Sequence, residues 1–235
     1  MNTTPASDET TETQPRHDMH GHWPRAETVA DFQHNLAAVQ ARITAACLRV
    51  GRDPAGVRLL PVSKTMDEAH IRLAHEAGCT LLGENKVQEA FAKSQAMADL
   101  TRLKWSVIGH LQTNKARQVA RFASEFQALD SLRVAEALDR QLQTEGRVLT
   151  VFVQVNTSME TSKYGLPVDE VEAFLHQLTR YPSLQVQGLM TLAEFTDDAG
   201  RVRACFSRLR ELRDRLCASS PGGYQQNCRW GCQGL

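Results

Sequence analysis

Neither sign of charge is in excess: 27 Lys+Arg balance 27 Asp+Glu over 235 residues, a formal net charge of zero. Nucleic-acid binders and polybasic membrane modules need a positive surplus, so neither partner is expected. No run reaches the ~18–20 apolar residues of a membrane span. The first 26 residues also lack the apolar centre of a secretory signal, which predicts a cytoplasmic chain. Phosphate-cradling loops are missing too. No Gly-x-Gly-x-x-Gly turn follows an apolar run and no Gly-Lys-Ser/Thr loop occurs, which sets aside dinucleotide and nucleoside triphosphate sites. The six cysteines form no disulfide framework. Cys47, Cys79 and Cys205 stand singly, as small buried thiols do. Cys217, Cys228 and Cys232 crowd the end, where a Cys-x3-Cys pair without a nearby histidine carries little metal signal. His17, His20 and His22 read as an incidental cluster. No metal site is expected.

What is present is ordinary globular material: 42% apolar and 23% charged residues, enough for a sizeable core. Residues 1–26, rich in Thr, Pro and acidic groups, predict a disordered tail. From Glu27 the pattern changes. Val29, Phe32, Leu36, Val39, Ile43, Cys47 and Val50 recur at helical spacing until Gly51 and Pro54 stop them. Short apolar runs then alternate with helical stretches. The runs are Arg58–Lys64, Thr80–Asn85, Lys104–His110, Phe126–Asp130, Leu149–Asn156 and Val186–Leu192. The helices include Asp67–Ala77 with Gly78 as its stop, Ser131–Gln143, one starting at Pro167, and one over about Asp198–Leu216.

Strand–helix alternation means parallel strands with helices outside, and six such units fit a (β/α) barrel better than a doubly wound sheet. Working groups of such barrels project from the C-terminal strand ends. Here those ends carry Lys64, Glu84-Asn85, Gly109-His110, Asp130-Ser131, Asn156 and Met190-Thr191. A polar rim arises whenever strands leave a core, and Ser131 also reads as a helix N-cap. Lys64 is the sharpest candidate. It follows Leu-Leu-Pro-Val-Ser, and an apolar barrel mouth disfavours a charge and frees an amine lone pair for attack on an aldehyde. A solvated surface lysine satisfies the same spacing.

Several motifs then occur in order: Val62-Ser-Lys-Thr65, Gly83-Glu-Asn85 with Val87-Gln-Glu89, and Trp105 followed by Ile108-Gly-His-Leu-Gln-Thr-Asn-Lys115. Gln154-Val-Asn156, Ser162-Lys-Tyr-Gly165 and Gly188-Leu-Met190 complete the series. Together, over about residues 30–216, they resemble the pyridoxal phosphate homeostasis protein family (YggS/PROSC type). That resemblance implies a (β/α)8 TIM-barrel type fold, that of the alanine racemase N-terminal domain. It implies pyridoxal 5'-phosphate as cofactor, Lys64 as the lysine of the internal aldimine, Asn85 beside the cofactor, and Met190 lining the same face. His110, Asn114, Lys115, Asn156, Ser162 and Lys163 belong to matching motifs without an assigned role.

The resemblance stops near Leu216. Members of the family continue through two more strands whose loops hold the cofactor phosphate, as barrel loops after strands 7 and 8 generally do. Residues 217–235 contain no Val, Ile or Thr and four glycines, a poor strand former. The expected organisation is thus a tail of residues 1–26, a cofactor-binding barrel domain over 27–216, and a non-family tail over 217–235. The barrel lacks its last two strands, as after a frameshift or other alteration of the C-terminus. The leading functional expectation is a non-catalytic pyridoxal phosphate carrier that serves cofactor homeostasis and passes the group to apo-enzymes. A racemase or decarboxylase of the same barrel class is the alternative, and a defective truncated product the third reading.

Overall fold

The computed structural model describes residues 25–160 and 164–219, together with the backbone of 231–233. Most of the tail expected over 1–26, with its three histidines, lies outside the described residues, as do Ser162, Lys163 and Cys228. The elements run α1 (Val29–Leu48), α2 (Glu68–Glu76), β1 (Leu81–Glu84), α3 (Val87–Ala96), β2 (Lys104–Val107), α4 (Ala116–Phe122) and β3 (Glu125–Leu129). Then come α5 (Leu132–Thr144), β4 (Leu149–Gln154), α6 (Val171–Leu178), β5 (Leu184–Leu192), α7 (Ala199–Ser219) and β6 (Gly231–Gln233). The sheet order is sequential from β1 to β6 and every pairing is parallel. This is the partial barrel the alternation predicted. Among the described residues the sheet does not close on itself.

Local chemistry explains the helix ends. Thr28 and Asp31 form a reciprocal capping box at the start of α1, and Gly51 takes a positive φ just past its end. The Asp67 carboxylate accepts from the His70 amide to start α2, and Gly78 turns the chain after it at φ +109°. Ser131 occupies the N-cap position of α5, but its side chain makes no capping bond. The helix expected from Pro167 begins later, at Val171, because Pro167–Glu170 forms a hydrogen-bonded turn first.

Two expectations need correction. The run Arg58–Lys64 is not a full strand: only Val62 bridges, in parallel, to Gly83. It lies at the open margin, with no second neighbour among the described residues to hold it straight. Conversely, the 217–235 tail does supply a strand. Gly231–Gln233 pairs with Met190–Leu192, because a long edge strand offers backbone partners irrespective of side-chain propensity.

The main core lies between the sheet and its outer helices. Phe126, Ala128, Val151, Val153 and Val155 pack with Val119, Leu138, Leu142, Phe174 and Leu178. A smaller cluster of Ile71, Leu82, Met97, Leu103 and Trp105 sits under Phe32 and Leu36 of α1. On the opposite, inner face the register Gly83↔Ser106↔Glu125↔Thr150 runs across four strands. Polar groups are satisfied there in one network. Arg58 makes a bidentate pair with Glu125 at 2.6 and 3.0 Å, and Gln127 donates to Ser106 Oγ and Glu125 Oε2.

Candidate functional site

Strand alternation decides which way each candidate points. Ser63 and Glu84 face the helices, since the Ser63 hydroxyl donates to Glu84 Oε1 at 2.7 Å and Lys93 of α3 donates to the same oxygen at 2.7 Å. Their neighbours therefore face inward. A Cβ on Gly83 would meet Leu60, Val62 and Ile108 side chains at 3.4–3.5 Å, which marks those residues as the inner lining. Lys64 follows as the second residue of the turn Ser63–Met66, at the C-terminal end of that segment. It is half-buried at the C-terminal mouth, and its ammonium has no hydrogen-bond or ion-pair partner among the described residues. Thr65, immediately after it, has φ +68°, left-handed backbone that a β-branched residue seldom adopts.

Asn85 stands two residues past Gly83 of the Val62↔Gly83 bridge, as Lys64 stands two past Val62, and it is exposed. Gly109 fixes it from below: a Cβ there would lie 2.1 Å from the Asn85 carbonyl oxygen. Met190 lies on β5, paired with Gln154, and is fully buried in the main core, with no contact to Lys64 or Asn85 among the described residues. Lys64 and Asn85 thus each follow the bridged residues by two positions, at the ends of adjoining segments.

Sequence reading left His110 and Asn156 without roles, and the structure groups them at the same mouth. The chain after β4 doubles back so that Leu166 bridges to Val155, with hydrogen bonds of 2.9 Å in each direction between 154–156 and Leu166. Gly165 makes the return at φ +112°, where a Cβ would press to 2.8 Å on the Asn156 amide nitrogen. Its N–H donates to Asp130 Oδ2 at 3.1 Å. Tyr164 is 60% exposed and stacks on His110, ring centroids 4.1 Å apart and planes 14° from parallel. Gln154 donates to the Tyr164 carbonyl, and Asn156 to the Glu160 carbonyl at 2.8 Å. Burial raises the Asp130 carboxyl above its ordinary value, against the Gly165 N–H and the nearby His110 charge. Asn114 and Lys115 lie in a short 3₁₀ turn (Thr113–Lys115), with Asn114 exposed and Lys115 half-buried.

What sequence reading missed is the Ser63–Glu84–Lys93 group. Glu84 is completely buried and its Oε2 has no hydrogen-bond partner, while Lys93 also donates to the Ser63 carbonyl at 2.8 Å. A glutamate inside an apolar strand, nine residues before a helical lysine, was the available signal. Elsewhere, a cleft of about 200 Å³ opens between α7 and the ends of β4 and β5, lined by Ser158, Glu194, Arg201, Ala204, Cys205 and Arg208. Its guanidinium groups are engaged, Arg201 with Glu194 and Arg208 with the Thr157 carbonyl. The inner mouth is the better site.

Comparison with known proteins gives the family and the fold. Over residues 29–224 the sequence matches the family described as alanine racemase, N-terminal domain. It is 42% identical over 184 residues to the pyridoxal phosphate homeostasis protein of Pseudomonas aeruginosa, covering 78% of this chain and 80% of that one. Among solved structures, PipY of Synechococcus elongatus PCC7942 with pyridoxal phosphate (PLP) bound superposes with a TM-score of 0.66. It is 35% identical, over 77% of this chain and 84% of PipY. Alanine racemase from Streptomyces coelicolor A3(2), 20% identical with a TM-score of 0.58 over 77% of this chain and 49% of its own, shares the fold.

Proposed function

This chain belongs to the alanine racemase N-terminal-domain family, among its pyridoxal phosphate homeostasis proteins, and from that premise we propose that it carries pyridoxal phosphate on Lys64 without turning over amino acids. The observation that carries the reading is the Lys64 amine, half-buried at the inner mouth and free of partners among the described residues. Pyridoxal phosphate, when bound, supplies an aldehyde that is electrophilic toward a primary amine. The residues present fit that end of the group. Lys64 provides the nucleophile, and the Asn85 amide, at the end of the adjoining segment, provides a hydrogen-bonding group. His110 and Tyr164 shield one side of the mouth by their stack. Of the segments after α7, where the resemblance puts the phosphate contacts, only the backbone of 231–233 is described.

Racemisation needs acid–base groups poised on both faces of the cofactor. Lys64 can serve one face. Tyr164, in the Ser-Lys-Tyr-Gly motif, is stacked on His110. A reversible covalent hold suits storage and delivery to apo-enzymes. The cytoplasm, where such enzymes work, is the compartment we assign; among the described residues no helix is long and apolar enough to cross a membrane. Added pyridoxal phosphate is expected to give a visible absorbance, with no exchange of amino-acid α-protons into deuterated solvent. Exchange that disappears in Lys64→Ala, at rates near the ~1–10³ s⁻¹ of ordinary enzymes, overturns the non-catalytic reading in favour of a racemase-type activity.

A further inference from the structure

We propose that Glu84 and Lys93 are positioning residues for Lys64, a clamp that holds the tight turn on which Lys64 is mounted; the proposal rests on the reading of Lys64 as the cofactor-bearing amine. The turn runs from Ser63 to Met66, closed by the Met66 N–H donating to the Ser63 carbonyl at 3.0 Å. Lys64 is its second residue and Thr65 its third. Thr65 at φ +68° occupies the position that in turns of this hand belongs to glycine. Backbone strain of this kind persists only where the surroundings over-determine it. Thr65 does not hold itself, since it is exposed and its hydroxyl has no hydrogen bond among the described residues.

The holding comes from the other face of the sheet. The Ser63 carbonyl that closes the turn also accepts from Lys93 Nζ at 2.8 Å. Lys93 is in turn anchored on Glu84 Oε1 at 2.7 Å, and the same oxygen takes the Ser63 hydroxyl at 2.7 Å. The Ser63 amide donates to the Gly83 carbonyl at 2.9 Å, so carbonyl, hydroxyl and amide of Ser63 are all fixed. With Ser63 immobilised, the first residue of the turn that carries Lys64 is fixed, and the turn with it. The cost of the arrangement argues for a role. Glu84 is fully buried with one carboxylate oxygen unpartnered, and an apolar pair of similar size generally serves stability as well or better.

The test compares wild type with E84M/K93M, which removes the clamp without leaving an unpaired buried charge, and with the same pair carrying T65G. Glycine adopts the positive φ without strain, so it keeps the turn without a clamp. Two readouts are taken. One is the initial rate at which pyridoxal phosphate and borohydride label Lys64, quantified by peptide mass mapping. The other is hydrogen exchange of the Met66 amide in the cofactor-free chain, which reads the turn itself. Expected results are tenfold or slower labelling and at least tenfold faster exchange in E84M/K93M. Both should return to within about threefold of wild type when T65G is added, whatever happens to the melting temperature. A folded E84M/K93M that labels Lys64 within twofold of wild type overturns the clamp, as does a loss that T65G fails to rescue. Should the double variant not fold, E84Q in its place keeps the shape and loosens the anchor, with the same criteria applied. Wild type that labels at other lysines but not at Lys64 overturns the reading of Lys64 instead, a result distinct from both.

Discussion

At the scale of single residues, Gly109 shows how closely the mouth is built. A Cβ there would stand 2.1 Å from the Asn85 carbonyl oxygen, and the obstacle is backbone, not a side chain able to swing away. Gly109→Ala must therefore push β2 from the end of β1, and overpacking of this sort costs about 1–3 kcal/mol or more. Urea unfolding should show a lowered midpoint at unchanged slope. A variant within ~0.5 kcal/mol of wild type contradicts the close approach. The same residue shows the limit of a sequence reading. Gly109 was visible as part of a strand end, but its need for a bare Cα comes from Asn85, whose proximity only the β1–β2 pairing creates. Lys64 stood out as a candidate because Leu-Leu-Pro-Val-Ser before it reads as an apolar strand, although that run pairs only at Val62. Glu84 and Lys93 did not, since their meeting depends on α3 folding back over β1.

Among elements, the helices followed their periodicity and caps, as Thr28, Asp67 and Gly78 did, while strand margins depended on neighbours. Arg58–Lys64 reads as a strand yet pairs only at Val62. Gly231–Gln233 does not read as one yet pairs with β5, because the partner's open backbone decides. The tether between the end of β3 and the returning chain after β4 is an element contact with a pH signature. Burial raises the Asp130 carboxyl above its ordinary 3.8, so the folded chain holds that proton more tightly than the unfolded chain. Stability from the protonated form is full below 3.8 and is lost as pH rises through the raised value. Asp130→Asn removes the titration. Its stability relative to wild type should grow as pH is taken from 3.8 toward neutrality, measured by urea midpoints along the series. A difference independent of pH, or one that shrinks, contradicts the assignment of burial as the dominant cause.

For the whole molecule, the governing feature is a sheet that stays open among the described residues. Val62 and Met66 are 39% and 42% exposed at the margin where a closed barrel would cover them. Among the described residues nothing pairs with the outer side of that segment, and unpaired strand margins invite association. Replacing residues 217–235 with the last two strand units of a full-barrel relative should cover the margin and restore backbone donors for a phosphate. The graft is expected to stay monomeric at concentrations where the present chain associates, and to retain pyridoxal phosphate longer on dialysis. Equal retention and equal monomeric behaviour in both proteins would show that the open margin is harmless. Barrel class was legible from the alternation of elements. An unclosed sheet was legible too, from six recognisable units; which segments form its margins was not, since Arg58–Lys64 pairs only at Val62 and Gly231–Gln233 supplies β6.

The account turns on one amine. Chain incubated with pyridoxal phosphate, reduced with borohydride and digested should carry the label on the peptide containing Lys64, with Lys64→Ala losing both label and visible absorbance. Label found mainly on Lys86, Lys115 or Lys163, with Lys64→Ala unchanged, would contradict it.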